Sequence, residues 1–143
     1  MRIEVSSDIS DLEPLLRASV GEGYRHVTRL VEDYQSGANR FDRRGEVLLV
    51  ARAGDGAVLG VCGLNATAKP SVGRLRRFYV LPVMRSQGIG AALLERIISA
   101  ASPHFTTLEL HTDDPRAAAF YQRHGFRAAQ REDATHQLEL HPC

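Results

Sequence analysis

The sequence predicts an α/β fold, α+β in some schemes, in which helices cover both faces of one mixed sheet. Strand-like and helix-like segments alternate along the chain, with hairpins near both ends and helical crossovers between them. A chain of 143 residues buries roughly 68–70% of its unfolded surface, enough for one core without metals or disulfides. We therefore predict a single domain over residues 1–143, with about seven strands and about four helices.

Near its start, the chain predicts one strand followed by two amphipathic helices. Residues 2–6 alternate in polarity, which predicts the strand. Polar helix-start signals at residues 8–11 predict a helix to about Ser19, and a second helix over 24–35 ends before Gly37. The apolar residues at helical spacing are Leu12, Leu15 and Leu16 in the first helix and Val27, Leu30, Val31 and Tyr34 in the second.

The middle of the chain predicts three strands and a helix. Residues 46–53 and 57–66 flank a Gly-Asp-Gly turn, which predicts a hairpin. A further strand over about 73–81 leads through a glycine-containing loop into a helix that ends near Ala101. Strand, loop and helix form one unit, because the loop joins them directly.

The last part of the chain predicts a strand over 105–112, a short helix, and closing strands over 126–130 and 135–141. Pro115 at the first helical position and Gly125 just past the helix end are typical of helix boundaries. The closing strands complete the mixed sheet.

Composition excludes several classes of protein. The 18 basic and 17 acidic side chains leave a formal charge of +1, so bulk electrostatics do not favour a nucleic-acid partner. The N-terminal residues are charged, and no apolar run approaches the roughly 18 residues of a membrane span. Cys62 lies in an apolar run, Cys143 ends the chain, and the histidines show no metal-ligand pattern. We expect a soluble cytoplasmic protein without a metal site that binds no membrane.

The segment from Val80 to Leu94 joins a strand to a helix through two glycines. Gly88 and Gly90 lack the Cβ atoms that would hold an anion away from the main chain. Good helix formers follow at once, so the unpaired N–H groups of the first helical turn point back into the loop. Arg85 adds a guanidinium at the entrance. Together these residues predict a phosphate-binding loop.

Several ligands compete for this loop. A Walker A loop requires Gly-Lys followed by Ser or Thr, but Ala91 follows Gly90. A dinucleotide-binding loop requires a third glycine where Leu93 stands, and no strand–helix–strand unit opens the chain. Coenzyme A pyrophosphate is the third phosphate ligand considered, and a glycine-rich turn without a ligand is the alternative.

A second motif lies on the predicted C-terminal helix, where residues 114–126 read Asp-Pro-Arg-Ala-Ala-Ala-Phe-Tyr-Gln-Arg-His-Gly-Phe. With the glycine-containing loop, this segment resembles the GNAT superfamily of acyl-CoA N-acyltransferases. The family signatures are Arg/Gln-x-x-Gly-x-Gly/Ala after a strand ending Val-x-Pro, and Asn-x-x-Ala-x-x-Phe-Tyr-x-x-x-Gly-Phe. The matching residues are Val80, Pro82, Arg85, Gly88 and Gly90 in the first signature and Ala117, Phe120, Tyr121, Gly125 and Phe126 in the second.

The resemblance implies both a fold and an activity. In the family, the strand before the loop and the strand after its helix splay apart, and the acyl-pantetheine arm lies between them. The chain is then expected to be an N-acetyltransferase that moves an acetyl group from acetyl-CoA to a primary amine of a small molecule or peptide. Direct attack would occur in a ternary complex. Carried onto this chain, the coenzyme-binding residues are Phe78, Tyr79 and Val80 for the pantetheine arm and Arg85, Ser86, Gln87, Gly88, Ile89, Gly90 and Ala91 for the pyrophosphate.

The resemblance assigns one catalytic residue and leaves the base open. The family's helix tyrosine usually donates a proton to the departing sulfur, and Tyr121 occupies its position; the alternative is a packed aromatic residue. The glutamate base of many members is absent, because residues 73–77 read Gly-Arg-Leu-Arg-Arg. Glu109 and His111 share one face of the next strand and are base candidates. The alternatives are a solvated strand face and an amine that loses its proton to solvent.

Arginines near the glycine-containing loop bear on the acceptor. Arg74 and Arg76 are expected on one strand face and Arg77 on the other, while Arg43 and Arg44 lie in a loop that often borders the acceptor in relatives. Guanidinium forks suit carboxylates. We therefore expect an acceptor amine with an anionic group, such as an amino acid or acidic peptide; the alternative is solvated arginines paired with nearby acids.

The roles of two residues and the functional class each have an alternative interpretation. Asp114 replaces the family's asparagine and either lies near the coenzyme arm or caps the helix. His26 either faces the acceptor or lies on the surface. A non-catalytic acyl-CoA sensor would keep the loop without needing Tyr121, so Tyr121 in register favours an enzyme. The resemblance is compatible with a homodimer.

Overall fold

The structure is a computed structural model that describes residues 1–131 and 133–141. Within these residues it contains one seven-stranded sheet, four α-helices and a short 3-10 helix over Pro82–Met84. The predicted fold class is confirmed. The elements are β1 Arg2–Val5, α1 Glu13–Gly21, α2 His26–Ser36, β2 Val47–Arg52, β3 Val58–Ala66, β4 Val72–Val80, α3 Ile89–Ala101, β5 Thr107–Leu110, α4 Pro115–Arg123, β6 Arg127–Ala128 and β7 His136–Glu139.

The sheet opens between β4 and β5. Its strand order is β1-β2-β3-β4-β5-β7-β6, and β4–β5 is its parallel pair. That pair extends only from Val72 opposite Thr107 to Arg74 opposite Glu109. Beyond it, residues 75–80 of β4 have no ladder partner on the β5 side within the described residues. The splayed gap expected from the resemblance is therefore present.

A β-bulge interrupts β4 in the unpaired stretch. Val61 lies opposite Tyr79 and Gly63 opposite Arg76, so two residues of β4 face one residue of β3. Arg77, the first of the two, has a φ of 58°, in the left-handed region that non-glycine residues seldom adopt. The bulge changes which way the following side chains point, because an extra residue breaks strict alternation.

Two apolar clusters cover the two faces of the sheet. On β2, Leu49 belongs to one cluster and its neighbour Leu48 to the other, as alternation along a strand requires. Cys62 is a fully buried core thiol, as predicted, whereas Cys143 lies outside the described residues. The α3/α4 face contains Leu93, Leu94, Ile97, Leu108 and Leu110, and the α1/α2 face contains Leu12, Leu15, Val27 and Leu30.

The predicted start of the first helix is wrong. Residues 8–11 form a turn in which the Asp8 carboxylate accepts a hydrogen bond from the Ser10 N–H over 2.8 Å. The helix begins at Glu13, because Pro14 is tolerated only in a first turn. No helix of the described chain is long and apolar enough to cross a membrane.

The later strands are shorter than the sequence predicts. β5, β6 and β7 are ladders of four, two and four residues. The flanking residues still form isolated hydrogen bonds: Thr106 N–H donates to Ser71, and Leu140 N–H donates to Thr106, each over 2.8 Å. The apolar pattern extends past the regular ladder because Phe105 and Leu140 in these flanks are buried without continuing it.

Replacing Gly73 with alanine should destabilise the fold. A Cβ there would lie 2.7 Å from Cδ2 of Phe105, which is buried. Overpacking of this kind costs about 1–3 kcal/mol of unfolding free energy. Gly54→Ala is the matched control, because its Cβ would meet nothing within 4 Å, and it should change stability by less than about 0.5 kcal/mol. Urea denaturation measures both, and equal midpoints would show that Phe105 yields without cost.

Candidate active site

The gap between β4 and β5 opens into a cleft of about 1270 Å³. Its walls come from β4, the start of α2, the loop before α3, the end of β5, and α4. Among the predicted coenzyme-binding, proton-donor and β5 base residues of the described chain, Gln87, Ile89 and Glu109 do not line the cleft. Those that do are Phe78, Tyr79, Val80, Arg85, Ser86, Gly88, Gly90, Ala91, His111 and Tyr121.

The glycine loop, residues 85–91, presents main-chain groups to the cleft. Ser86 has a φ of 68° and Gly88 a φ of 83°, so both bend the chain through the left-handed region. α3 begins directly after Gly88, and no side chain in the described chain caps its first turn. The N–H groups of that turn are thus available to an anion, and the positive end of the helix dipole favours one.

Arg85 lies at the mouth of the glycine loop, and its guanidinium binds Glu22. Nη1 and Nη2 donate to the two carboxylate oxygens of Glu22, each over 2.8 Å. Nε donates to the carbonyl oxygen of Val80 over 3.2 Å, and the guanidinium carbon lies 5.4 Å from the centre of the Tyr79 ring. The side chain therefore joins the glycine loop to the connection between α1 and α2.

Glu22 is the centre of this cluster. The Tyr79 hydroxyl donates to the same carboxylate over 2.5 Å. Hydrogen bonds from Arg85 lower the pKa of Glu22, so the carboxylate stays ionised at neutral pH. Burial raises the pKa of Tyr79, so its hydroxyl keeps the proton that it donates. Both groups are engaged with each other and are poor acceptors for a substrate proton.

Tyr121 combines a packed ring with a free hydroxyl. The side chain is buried against Phe78, Phe120 and Phe126, with ring centres 6.1, 5.4 and 5.5 Å away. The hydroxyl makes no hydrogen bond to any other described residue, and the residue lines the cleft. Burial raises the pKa of Tyr121 well above its ordinary value, so the phenol remains protonated in the neutral range.

The two base candidates on the β5 side are both paired. Oε1 of Glu109 lies 3.8 Å from Nη1 of Arg74. His111 is exposed at the cleft, and its Nε2 lies 3.3 Å from Oδ2 of Asp113. Of the two, only His111 reaches the cleft wall.

His26 lies on the cleft wall, at the first residue of α2. Its ring centre is 5.3 Å from that of Tyr24 and 5.4 Å from that of Tyr79. Its Nε2 is buried and has no hydrogen-bond partner in the described chain. Burial, and then the charge of Arg77, lower the pKa of His26, so its imidazole is neutral at pH 7 and able to accept a proton.

The bulge gathers arginines on one side of β4. Strict alternation predicts Arg77 on the face opposite Arg76, and this prediction is wrong. Arg77 turns toward α2, where its Nη2 lies 3.5 Å from Oδ2 of Asp33. Arg74, Arg76 and Arg77 all line the cleft together with Arg29 of α2. We call these four residues the arginine wall.

Arg43, Arg44 and Asp114 are the other residues that the sequence placed near the site. Arg43 lines a smaller polar pocket of about 260 Å³ beside the cleft, which Arg44 does not reach. Asp114 caps α4, because its Oδ1 accepts the N–H of Arg116 over 2.9 Å. Asp114 also lines the cleft.

Glu22, Tyr24 and Arg29 are site residues that sequence analysis did not single out. Glycines on both sides of Glu22 mark a turn between two helices. The pattern does not say that this turn lies over the end of β4, and only that placement brings Glu22 to Arg85. Arg29 is found only once the cleft face of α2 is known.

Comparisons with known proteins agree with this architecture. A family model described as an acetyltransferase (GNAT) domain matches residues 44–128. Mycothiol acetyltransferase from Parafrankia sp. (strain EAN1pec) is 40% identical over 78 residues, which cover 54% of this chain but only 23% of that protein.

Solved structures extend the similarity to nearly the whole chain. A protein from Exiguobacterium sp. 255-15, assigned as an acetyltransferase, superposes with a TM-score of 0.88 at 35% identity, over 96% of this chain and 92% of that one. An aminoglycoside 6′-N-acetyltransferase complexed with coenzyme A superposes with a TM-score of 0.75 at 16% identity, over 100% of this chain and 99% of that one. The second match supports the fold alone.

The acetyltransferase (GNAT) family model covers more than half of the chain, and a relative at 35% identity shares the mixed sheet that opens between β4 and β5 over 96% of the chain. The chain belongs to the GNAT family of acetyltransferases. The family resemblance found in the sequence is thereby confirmed.

Replacing Gly88 with alanine should weaken binding of acetyl-CoA and lower stability, and Gly90→Ala should have a smaller effect on both. At Gly88 a Cβ would enter open space beside the loop at a φ of +83°, with a backbone cost of about 1–2 kcal/mol. At Gly90 a Cβ would lie 3.6 Å from Cζ of Phe120, an ordinary contact. Calorimetric titration with acetyl-CoA and urea denaturation test the pair. Equal affinities in the two variants would separate Gly88 from the coenzyme site.

Proposed function

We propose that this protein transfers the acetyl group of acetyl-CoA to the primary amine of a small molecule or peptide, by direct attack in a ternary complex. The observation that carries the proposal is the protonated Tyr121 hydroxyl, which has no partner among the described residues and borders the gap between β4 and β5. A cytoplasmic location fits the free thiol of Cys62.

Coenzyme binding is proposed along the open edge of β4 and the glycine loop. Beyond Arg74, the main chain of β4 has no ladder partner toward β5 in the described residues, so its polar groups can pair with the amides of a pantetheine arm. The free N–H groups at the start of α3 suit the pyrophosphate. The Neisseria gonorrhoeae N-acetylglutamate synthase, whose fold is similar with a TM-score of 0.58, was solved with coenzyme A and L-arginine.

The chemistry requires one bond to form and one to break. The neutral amine attacks the thioester carbon and forms the C–N bond, and negative charge develops on the carbonyl oxygen, where a main-chain N–H of β4 would stabilise it. The C–S bond then breaks, and Tyr121 donates its proton to the departing sulfur. The proton lost by the amine passes to a base and then to water, from which Tyr121 is reprotonated.

His26 is the proposed base, since the two alternatives on the β5 side are paired. Its support is a neutral imidazole on the cleft wall, next to Tyr79. Tyr79 lies on the stretch of β4 that is proposed to bind the acyl arm. His111, paired with Asp113, is the second candidate, and direct loss of the proton to solvent is the third.

Tyr121→Phe should lower kcat about 100-fold or more, as loss of a general acid does, while acetyl-CoA affinity stays nearly unchanged. Fold stability should hold, because the hydroxyl has no partner to lose among the described residues. Release of free coenzyme thiol gives kcat, and calorimetry gives affinity. Tyr34→Phe is the control, since that hydroxyl bonds to Ser7. An unchanged kcat in Tyr121→Phe would remove Tyr121 from the mechanism.

The pH profile of kcat/KM should identify the base. The pKa of His26 lies below its ordinary 6.5, so protonation of His26 should add a separate fall in activity below that pH, on top of the dependence that comes from the acceptor amine. His26→Gln should abolish this acid limb and lower kcat/KM about tenfold or more, whereas Glu109→Gln and His111→Gln should retain it. Loss of the limb in His111→Gln instead would reassign the base, and identical profiles in all proteins would indicate solvent.

A further inference from the structure

We infer that the acceptor is an α-amino acid whose carboxylate is bound by the arginine wall, chiefly by Arg29 and Arg76. The inference deepens the proposed function and rests on it, because it names the class of amine that enters the cleft. Three features of the wall carry the inference: its unbalanced charge, the burial of Arg74 and Arg77 beside the more exposed Arg29 and Arg76, and its position beside His26.

The charges of the arginine wall are only partly balanced. Arg77 forms an ion pair with Asp33 at 3.5 Å, and Arg74 forms a longer one with Glu109 at 3.8 Å. Arg29 and Arg76 form no ion pair with any described residue, although both line the cleft. The acids that line the same cleft are Asp113, Asp114 and Asp133, of which Asp133 offers its carbonyl oxygen to Arg74 over 2.8 Å.

Burial adds to this imbalance at Arg77, whereas Arg29 and Arg76 are more exposed. The side chain of Arg77 is only 15% exposed, and its Nε is buried without a partner in the described chain. Burial and the charge of Arg74 lower the pKa of Arg76, and burial and the charge of Arg76 lower the pKa of Arg77. Cations that lose water and repel one another favour an anion between them. A carboxylate satisfies this need and matches the planar guanidinium fork.

The position of the arginine wall brings a cation close to the place where the acceptor amine would bind. His26 and Arg29 are three residues apart on α2 and both line the cleft, and side chains at this spacing are neighbours about 5–6 Å apart at Cβ. An acceptor amine at His26 therefore has a cation one helical turn away. The amine and carboxylate of an α-amino acid are separated by a single carbon, which suits this spacing better than a distant acidic group.

The phosphates of the coenzyme are the competing anions. Other arginines of the cleft, Arg85, Arg116 and Arg123, belong to the glycine loop and α4. The arginine wall instead belongs to β4 and α2, and Arg77 points to the α2 side of the sheet. We therefore assign the wall to the acceptor, and the test includes the coenzyme as an alternative ligand.

The substrate test compares matched amines in the thiol-release assay. A panel of L-α-amino acids is paired with their carboxamides, and spermidine is added as a polycation. The carboxamide lowers the basicity of the neighbouring amine and so increases its neutral form, which biases the comparison against the inference. At least one amino acid should still exceed its carboxamide about tenfold or more in kcat/KM, as a charge-assisted bidentate contact allows. Preference for carboxamides or spermidine throughout the panel would overturn the inference.

Variants then locate the contact. Arg76→Gln and Arg29→Gln should each raise the KM of the preferred amino acid about tenfold, leave the KM of its carboxamide unchanged, and leave acetyl-CoA affinity within about twofold. Arg96→Gln, on the exposed face of α3, is the control and should change none of these values. A raised KM for acetyl-CoA but not for dephospho-CoA thioester would assign the wall to a coenzyme phosphate and overturn the inference.

Direct binding separates this inference from the proposed function. If no amine releases thiol, the proposed function fails, and calorimetric titration of the protein–coenzyme A complex decides the ligand. Amino acids that bind while their carboxamides do not would support the arginine wall as a carboxylate site. Equal binding of both, or of neither, would overturn it.

Discussion

The departure of β4 from β5 is the constraint on which the whole site depends. Three residue pairs hold the two strands together, and the ladder then stops at Arg74. A buried strand edge without a ladder partner is costly, since each main-chain N–H and carbonyl needs a hydrogen bond. The bulge at Arg77 and the gap lie in the same stretch of β4. In this stretch the strand leaves its β5-side edge without a ladder partner among the described residues and turns Arg77 toward α2.

The Glu22 cluster links the connection between α1 and α2 to the end of β4 and to the glycine loop. One carboxylate accepts both ends of the Arg85 guanidinium and the hydroxyl of Tyr79. Hydrogen bonds between charged groups are stronger than neutral ones, although solvent weakens them here because the side chain of Arg85 is 43% exposed. The connection between α1 and α2 is therefore held against the end of β4. The cluster therefore couples the position of the glycine loop to that of the connection between α1 and α2.

The sequence predicted the elements well where local rules dominate. Gly37 and Gly125 follow the ends of α2 and α4, and the glycine loop opens into α3 as predicted. Prediction was less accurate where several elements decide together. Asp8 signals a helix start locally, but Pro14 fixes the first turn later. The length of β5 depends on its pairing with β4 and β7 rather than on its own apolar run.

For the site, the sequence indicated the residues that lie within recognisable motifs and missed those that only tertiary packing brings to the cleft. The glycine loop was indicated by its own residues and Tyr121 by the family resemblance, and Tyr121 and most of the loop line the cleft. Arg77 was assigned to the wrong face, because alternation presumes a regular strand and a bulge is not visible in composition. Glu22 lies in the connection between α1 and α2, and Arg29 lies on α2. The position of both over β4 is set by packing on the α1/α2 face. That packing is a property of the assembled core.

The division of the core into two clusters on opposite faces has a consequence for divergence. The family match begins at residue 44 and thus excludes β1, α1 and α2. Helices α1 and α2 pack on the sheet through the cluster around Leu12, Leu15 and Val27, and the sheet separates this cluster from Leu93, Leu94 and Ile97 of α3. The sequences of α1 and α2 can therefore diverge without repacking the side of the sheet that carries α3.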